Sequence, residues 1–312
     1  MKRNSLNLSV TLFVVAAVFS FAISGCKKKG GDVMLPPIDG YQTAGDVAKA
    51  NLMGYWNFDG NSNETISSTA PTTSSKSSYV TGVKGQAVRL DSGYILYPTI
   101  AALSATNLGS ATVSVWIMTE NQGDGSKPTS VFALTLGATM QTDWNVGPIN
   151  MYLENGRPKN YNDTLVLHSS MSTYGSGGRL GGDNINDYGV RATDFKTVLG
   201  ANKWVQYVFR YDGAGSFLDI FANGELVSNN NFRFKYFGDA PKVPLGNLIL
   251  PAGTQTQVVL GGFPNASTGF AQSPVQAFQG LYRGDIDEMR FYNKSLTDAE
   301  ISALYKLESA GR

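Results

Sequence analysis

Three carboxylates crowd one short stretch near the end of the chain, Gly284-Asp-Ile-Asp-Glu288. On an alternating strand Asp285, Asp287, Met289 and Phe291 share one face, and Ile286, Glu288, Arg290 and Tyr292 the other. Retaining glycoside hydrolysis needs two carboxyl groups about 5.5 Å apart. Asp285 and Asp287 share a face, but Glu288 points away and Met289 takes the next same-face position, which argues against an active site there. The single histidine, His168 in Leu165-Val-Leu-His-Ser-Ser170, has no Ser or Cys nucleophile motif beside it and reads as a surface or packing residue. The single cysteine, Cys26, allows no intrachain disulfide.

A different chemistry is suggested by the aromatics between residues 141 and 189. Trp144, Tyr152, Tyr161, Tyr174 and Tyr188 are scattered among Gly, Asn and Asp. Flat rings bordered by polar side chains suit sugars, whose C–H faces stack on a ring while their hydroxyls take hydrogen bonds. Trp144, between Asp143 and Asn145, and Tyr188, after Asn186 and Asp187, are the expected carbohydrate-binding pair. Trp56, Trp116 and Trp204 sit inside strand patterns and read as core.

The elements that must hold such groups are strands. The chain has 312 residues, with 35 Gly, 15 Tyr and 16 Phe, and helical patterns are scarce, which favours an all-β sandwich. A formal net charge of +1 gives no argument for a nucleic-acid partner. The clearest helix follows the carboxylate strand. Thr297 and Glu300 make a capping box, Leu296 and Ile301 a hydrophobic staple, and Ile301, Leu304 and Tyr305 an apolar stripe. Asn223-Gly224 is a two-residue hairpin signal.

The N-terminus has a basic start, Met1-Lys2-Arg3, and an apolar run from Val10 to Ile23 too short to span a bilayer comfortably. Its end, Ile23-Ser-Gly-Cys26, resembles the lipobox of bacterial lipoproteins. The resemblance implies a signal peptide over 1–25, removed before a lipidated Cys26, and a flexible tether over 26–50. It implies membrane attachment through acyl chains, each buried methylene contributing about 0.8 kcal/mol. Lys27 stands where an Asp would retain a lipoprotein in the inner membrane, so the outer membrane of a Gram-negative cell is expected, with its periplasmic or surface face left open.

From residue 51 onward a series of motifs falls in order. Leu52-Met-Gly-Tyr-Trp-Asn-Phe-Asp-Gly-Asn61 comes first, followed by Gly82-Val-Lys-Gly-Gln-Ala87, Ala111-Thr-Val-Ser-Val-Trp116, Trp204 to Gly213, Phe217 to Val227, Val258 to Gly262, and Gly284 to Ile301. Together they resemble the laminin-G-like, concanavalin-A-like jelly-roll domains. The resemblance implies a jelly-roll β-sandwich over 51–312 closed by a short C-terminal helix, with residues 119–200 and 228–256 as insertions of hairpins and long loops. It also implies that the first and last strands are neighbours and hold a structural Ca²⁺ through Asp59, Asn61 and Asp287. The alternative is that Asp59 caps a turn and Asp287 pairs with Arg283 or Arg290. The function expected is a non-catalytic binding module for carbohydrate on a lipid-anchored protein. A glycoside hydrolase of the same fold and a protein-binding surface lipoprotein are the alternatives.

Overall fold

Strand-forming runs such as Ala111-Thr-Val-Ser-Val-Trp-Ile-Met118 are rich in β-branched residues, and in the computed structural model they build one antiparallel sheet that curls onto itself. The structure describes residues 35–121, 126–156, 162–187 and 194–312, of which Pro37–Arg312 form one folded unit. Its strands are β1 (Leu52–Trp56), β2 (Thr73–Thr81), β3 (Gln86–Leu96), β4 (Asn107–Gly109), β5 (Ala111–Met118) and β6 (Thr129–Leu134). They continue with β7 (Ile149–Leu153), β8 (Leu167–Gly175), β9 (Gly178–Ile185), β10 (Val205–Asp212), β11 (Phe217–Ala222) and β12 (Glu225–Leu226). Last come β13 (Tyr236–Phe237), β14 (Val243–Pro244), β15 (Leu248–Ile249), β16 (Val258–Leu260), β17 (Tyr282–Tyr292) and the helix α1 (Asp298–Ser309).

The main sheet runs β12-β11-β10-β5-β17-β3-β16-β6-β7-β8-β9, with β1 added on β17 and β2 on β3. The fold is the expected all-β jelly-roll sandwich, and β1 does pair with β17, Trp56 opposite Met289. The curled sheet encloses one core in which Trp56, Phe132, Met151, Leu167, Tyr207 and Phe209 meet. Asn223 and Gly224 turn the chain from β11 into β12 with φ of 51° and 79°, the positive values that the hairpin signal requires.

The helix forms as its sequence dictates. Thr297 accepts from the Glu300 amide at 3.2 Å, and Glu300 accepts from the Thr297 amide at 2.8 Å. Leu296, Ile301, Leu304 and Leu307 are buried against Val208, Phe221 and Tyr292 on the outer face of the sheet. Each such side chain contributes roughly 1.5–3 kcal/mol.

Three expectations need correction. The folded unit opens before residue 51: Ala44 and Val47 pack into the helix cluster, the Ala44 amide donates to the Arg312 carbonyl at 3.2 Å, and Lys306 pairs with Asp39. The expected tether over 26–50 is therefore folded from Ile38 on. Residues 119–200 are not an insertion of hairpins and long loops, because they supply β6 to β9, one end of the main sheet. Their polar residues give them the composition of a loop, but those groups are hydrogen-bonded within the sandwich: Ser169 to Tyr207, Ser172 to the Asn145 carbonyl, Thr173 to the Asn247 carbonyl.

The third correction concerns the faces of β17. Ile286, Met289 and Phe291 all enter the main core, although strict alternation would put Ile286 opposite the other two. The pairing with β5 shifts between Asp287 and Arg290, and Glu288 has a φ of 43°. This bulge inserts one residue and resets the alternation behind it.

Candidate functional site

The closing strand carries little that faces solvent as chemistry. Glu288 accepts from Tyr55 at 2.7 Å and from Arg290 at 2.6 Å. Arg290 also donates to Glu308 of α1 at 2.7 Å, and Glu308 accepts from the Trp116 indole at 2.7 Å. All but Tyr55 are buried, so this network is a bolt between strand and helix. Asp285 is held bidentately by Arg89 at 2.7 and 2.8 Å. A cavity of ≈ 480 Å³ lies there, but Arg283 bridges Asp91 and Glu120 across it and no aromatic ring walls it.

The expected calcium ligands sit around one turn. Asp287 accepts from the amides of Val83 and Lys84 at 2.8 and 3.1 Å, and from its neighbour Glu288 at 2.8 Å. Burial pushes its carboxyl up to about 7. Asp59 accepts from the Gln86 amide at 2.7 Å. Asn61 accepts from the Asn63 amide at 2.9 Å, outside the turn. Calcium needs six to eight oxygens. Here both carboxylates are committed to N–H donors, and among the described residues no group of three or more acidic, His or Cys side chains could hold a metal. The residues as placed do not fit a cation. Nor does Asp287 pair with Arg283 or Arg290, because those guanidinia take other carboxylates.

The aromatic expectation leads to a real surface feature. Trp144 stands in the loop between β6 and β7, half-buried, with Tyr152, Phe263 and Phe278 set edge-on to it at 5.7, 5.4 and 5.6 Å. Each edge-to-face contact contributes about 0.5–1.5 kcal/mol. Together they fix the ring in one orientation. Trp144 walls a cleft of ≈ 370 Å³ on the outer face of β7, β8 and β9. Its floor is set by pairing: Ser170 lies opposite Asp183, Ser172 opposite Gly181, and Tyr174 opposite Arg179. A side chain at Gly181 would place its first carbon 2.5 Å from the Met171 carbonyl oxygen, so the floor between Arg179 and Asp183 stays bare.

Asp183 at the edge of this cleft and the buried His168 behind it were not read as functional from the sequence. His168 lies between two carboxyl groups, Nδ1 2.8 Å from Glu154 and Nε2 2.9 Å from Asp183, and against two carboxylates both nitrogens must donate. Only an imidazolium can donate at both nitrogens. Burial alone would lower its pKa, but the two carboxylates outweigh that and raise it. The same hydrogen bond holds the Asp183 carboxyl below its ordinary value against the effect of burial. Tyr152 lies over the His168 ring at 4.3 Å. Asp183 is 15 residues from His168 and becomes its partner only through the β8–β9 hairpin, a link that no local pattern carries. Tyr152 and Tyr174 are on strands rather than loops. Cys26, Tyr161 and Tyr188 lie outside the described residues.

The fold is shared with solved structures. The binding domain of paraclostridial mosquitocidal protein 1 superposes with a TM-score of 0.51 at 14% identity, over 82% of this chain and 52% of that one. The ligand-binding domain of botulinum neurotoxin serotype D, in complex with N-acetylneuraminic acid, gives a TM-score of 0.51 at 14% identity over 84% and 52%. Domain 4 of AbnA, an extracellular arabinanase of Geobacillus stearothermophilus in complex with arabinotriose, gives 0.47 at 16% over 82% and 98%. The chain spans about half the length of the two toxin domains. At these identities the likeness concerns the fold. No protein-family model and no curated protein matches the chain.

Proposed function

We propose that this chain is a glycan-binding module, held by a lipid on Cys26 to the outer membrane of a Gram-negative cell. The observation that carries the binding half is the Trp144 ring, clamped by three other aromatics beside a bare floor edged by Ser170 and Asp183. A sugar can stack on such a wall and bond its hydroxyls to Ser170, Asn145 and Asp183. The neurotoxin domain of similar fold holds a sugar acid, which supports the class of ligand. The laminin-G-like kinship of the motifs belongs to the same proposal, as does the anchor.

Hydrolysis is less well served by this geometry. Glu154 and Asp183 both accept from His168, and Asp183 is held below its ordinary value. A glycosidase acid needs a raised carboxyl that carries a proton.

The test is affinity electrophoresis through gels loaded with single polysaccharides, comparing wild type with Trp144→Ala. Retardation by at least one glycan, lost in a variant that melts normally, is expected. Binding untouched by the substitution, or no binding to any glycan, would overturn the reading.

A further inference from the structure

The cleft has a cation at one end that no carboxylate neutralises. Arg179 donates through Nε to the Ser172 hydroxyl and through Nη2 to the Asn145 carbonyl, both at 3.0 Å. These bonds hold the guanidinium beside the Trp144 loop, and neither partner carries charge. Among the described residues Arg179 has no ion pair, and its Nη1 has no acceptor. The other charges around the cleft are spoken for. Asp183 is bonded to His168, whose second nitrogen takes Glu154, and Lys235 lies beneath β9 and donates to the Asp183 carbonyl. Of the two charged side chains that line the cleft, Asp183 is bonded to His168, and Arg179 has only the neutral partners Ser172 and Asn145.

Arg179 and Asp183 lie on the same face of β9, four residues apart, which is about 13 Å. Only Gly181 lies between them on that face. That distance admits more than one pyranose ring, so one sugar can meet Trp144 while its neighbour meets Arg179. A guanidinium fork matches a planar carboxylate or a sulfate with two parallel hydrogen bonds.

We propose that the cleft selects anionic glycans, with a carboxylate or sulfate of one sugar paired to Arg179 while an adjacent ring lies against Trp144. This rests on the glycan-binding reading above and names the class of ligand within it.

The experiment uses matched probes. Polygalacturonate and hyaluronan are compared with their carboxyl-reduced forms, and a sulfated dextran with plain dextran, by calorimetry at low and moderate salt. The proteins are wild type, Arg179→Gln, Arg179→Lys and Trp144→Ala, each checked by its melting curve. Wild type is expected to bind at least one charged probe about tenfold more tightly than its neutral counterpart, a margin usual for one charge-assisted contact. Arg179→Gln should erase that preference, Arg179→Lys should keep part of it, and Trp144→Ala should weaken charged and neutral probes alike. Which pair shows the preference distinguishes carboxylate from sulfate. Equal affinity of wild type for charged and neutral forms, with binding lost in Trp144→Ala, would overturn the anionic assignment and leave glycan binding standing. A preference unchanged in Arg179→Gln would also overturn it. Absence of binding to every probe, charged or neutral, would overturn both.

Discussion

Asp59 and Asp287 grip the two ends of a single turn. Asp287 takes the Val83 and Lys84 amides at its start, and Asp59 takes the Gln86 amide at its end. The turn closes between them through the Gly82 amide and the Gly85 carbonyl at 3.1 Å. A side chain at Gly82 or Gly85 would strike the respective carboxylate oxygens at 2.3 and 2.0 Å. The glycines of Gly82-Val-Lys-Gly85 are there to admit these two acceptors.

Asp287→Ala strands three amides, each costing about 1–3 kcal/mol if left without a partner. A fall in melting temperature of several degrees is expected. The pH sign follows from burial. The folded carboxyl is raised from 3.8 to about 7, so its contribution is full below 3.8 and is lost as pH rises through about 7. The gap in melting temperature between wild type and variant should therefore narrow as pH rises from about 4 to about 7 and stay level above that. The same melts test calcium: chelator and added Ca²⁺ are expected to leave wild type unchanged. A calcium-induced rise in wild type that Asp287→Ala abolishes would establish the cation site.

Arg290 stands between two buried carboxylates, Glu288 at 2.6 Å and Glu308 at 2.7 Å. Arg290→Met removes the cation and leaves both. Breaking a buried pair in this way costs about 3–5 kcal/mol. The loss should show as reduced stability in urea, and as altered Trp116 fluorescence because its indole N–H shares Glu308. A variant as stable as wild type would contradict the role assigned to the network.

His168 predicts a second pH effect. Its folded pKa is raised above 6.5, so the stabilisation from Glu154 and Asp183 is fully present below 6.5 and is lost as pH rises through the folded value. Melting temperature should decline as pH rises above the ordinary imidazole value of 6.5. In His168→Gln that part of the decline should vanish. Parallel curves for the two proteins would show that the imidazolium does not form.

The proposed anchor rests on Ile23-Ser-Gly-Cys26. Cys26→Ala should abolish labelling by radioactive palmitate and release the protein from the membrane fraction or leave its signal uncut. Equal labelling of wild type and variant would rule out lipidation at this residue.

Much of the fold was legible because its signals are local. The capping box at Thr297 and Glu300, the staple of Leu296 and Ile301, and the Asn223-Gly224 hairpin each lie within a few residues, and each formed as read. Trp144 was legible as a ring among polar neighbours. The strands β6 to β9 were not, because Ser, Thr and Asn placed in a sandwich and hydrogen-bonded there have the composition of a loop.

The sequence by itself determined the all-β fold class and the strand-to-helix closure, and the resemblance of the motifs at its two ends implied the pairing of the first and last strands. Tertiary structure decided where the chemistry lies. Alternation has a period of two only while the strand is regular, and the bulge at Glu288 turned Ile286 and Met289 onto one face. His168 met Asp183, and Arg179 met the Asn145 carbonyl 34 residues away, only because hairpin register and loop packing joined them. Such contacts depend on the whole sheet closing around its core, and residue types along the chain do not encode them one by one.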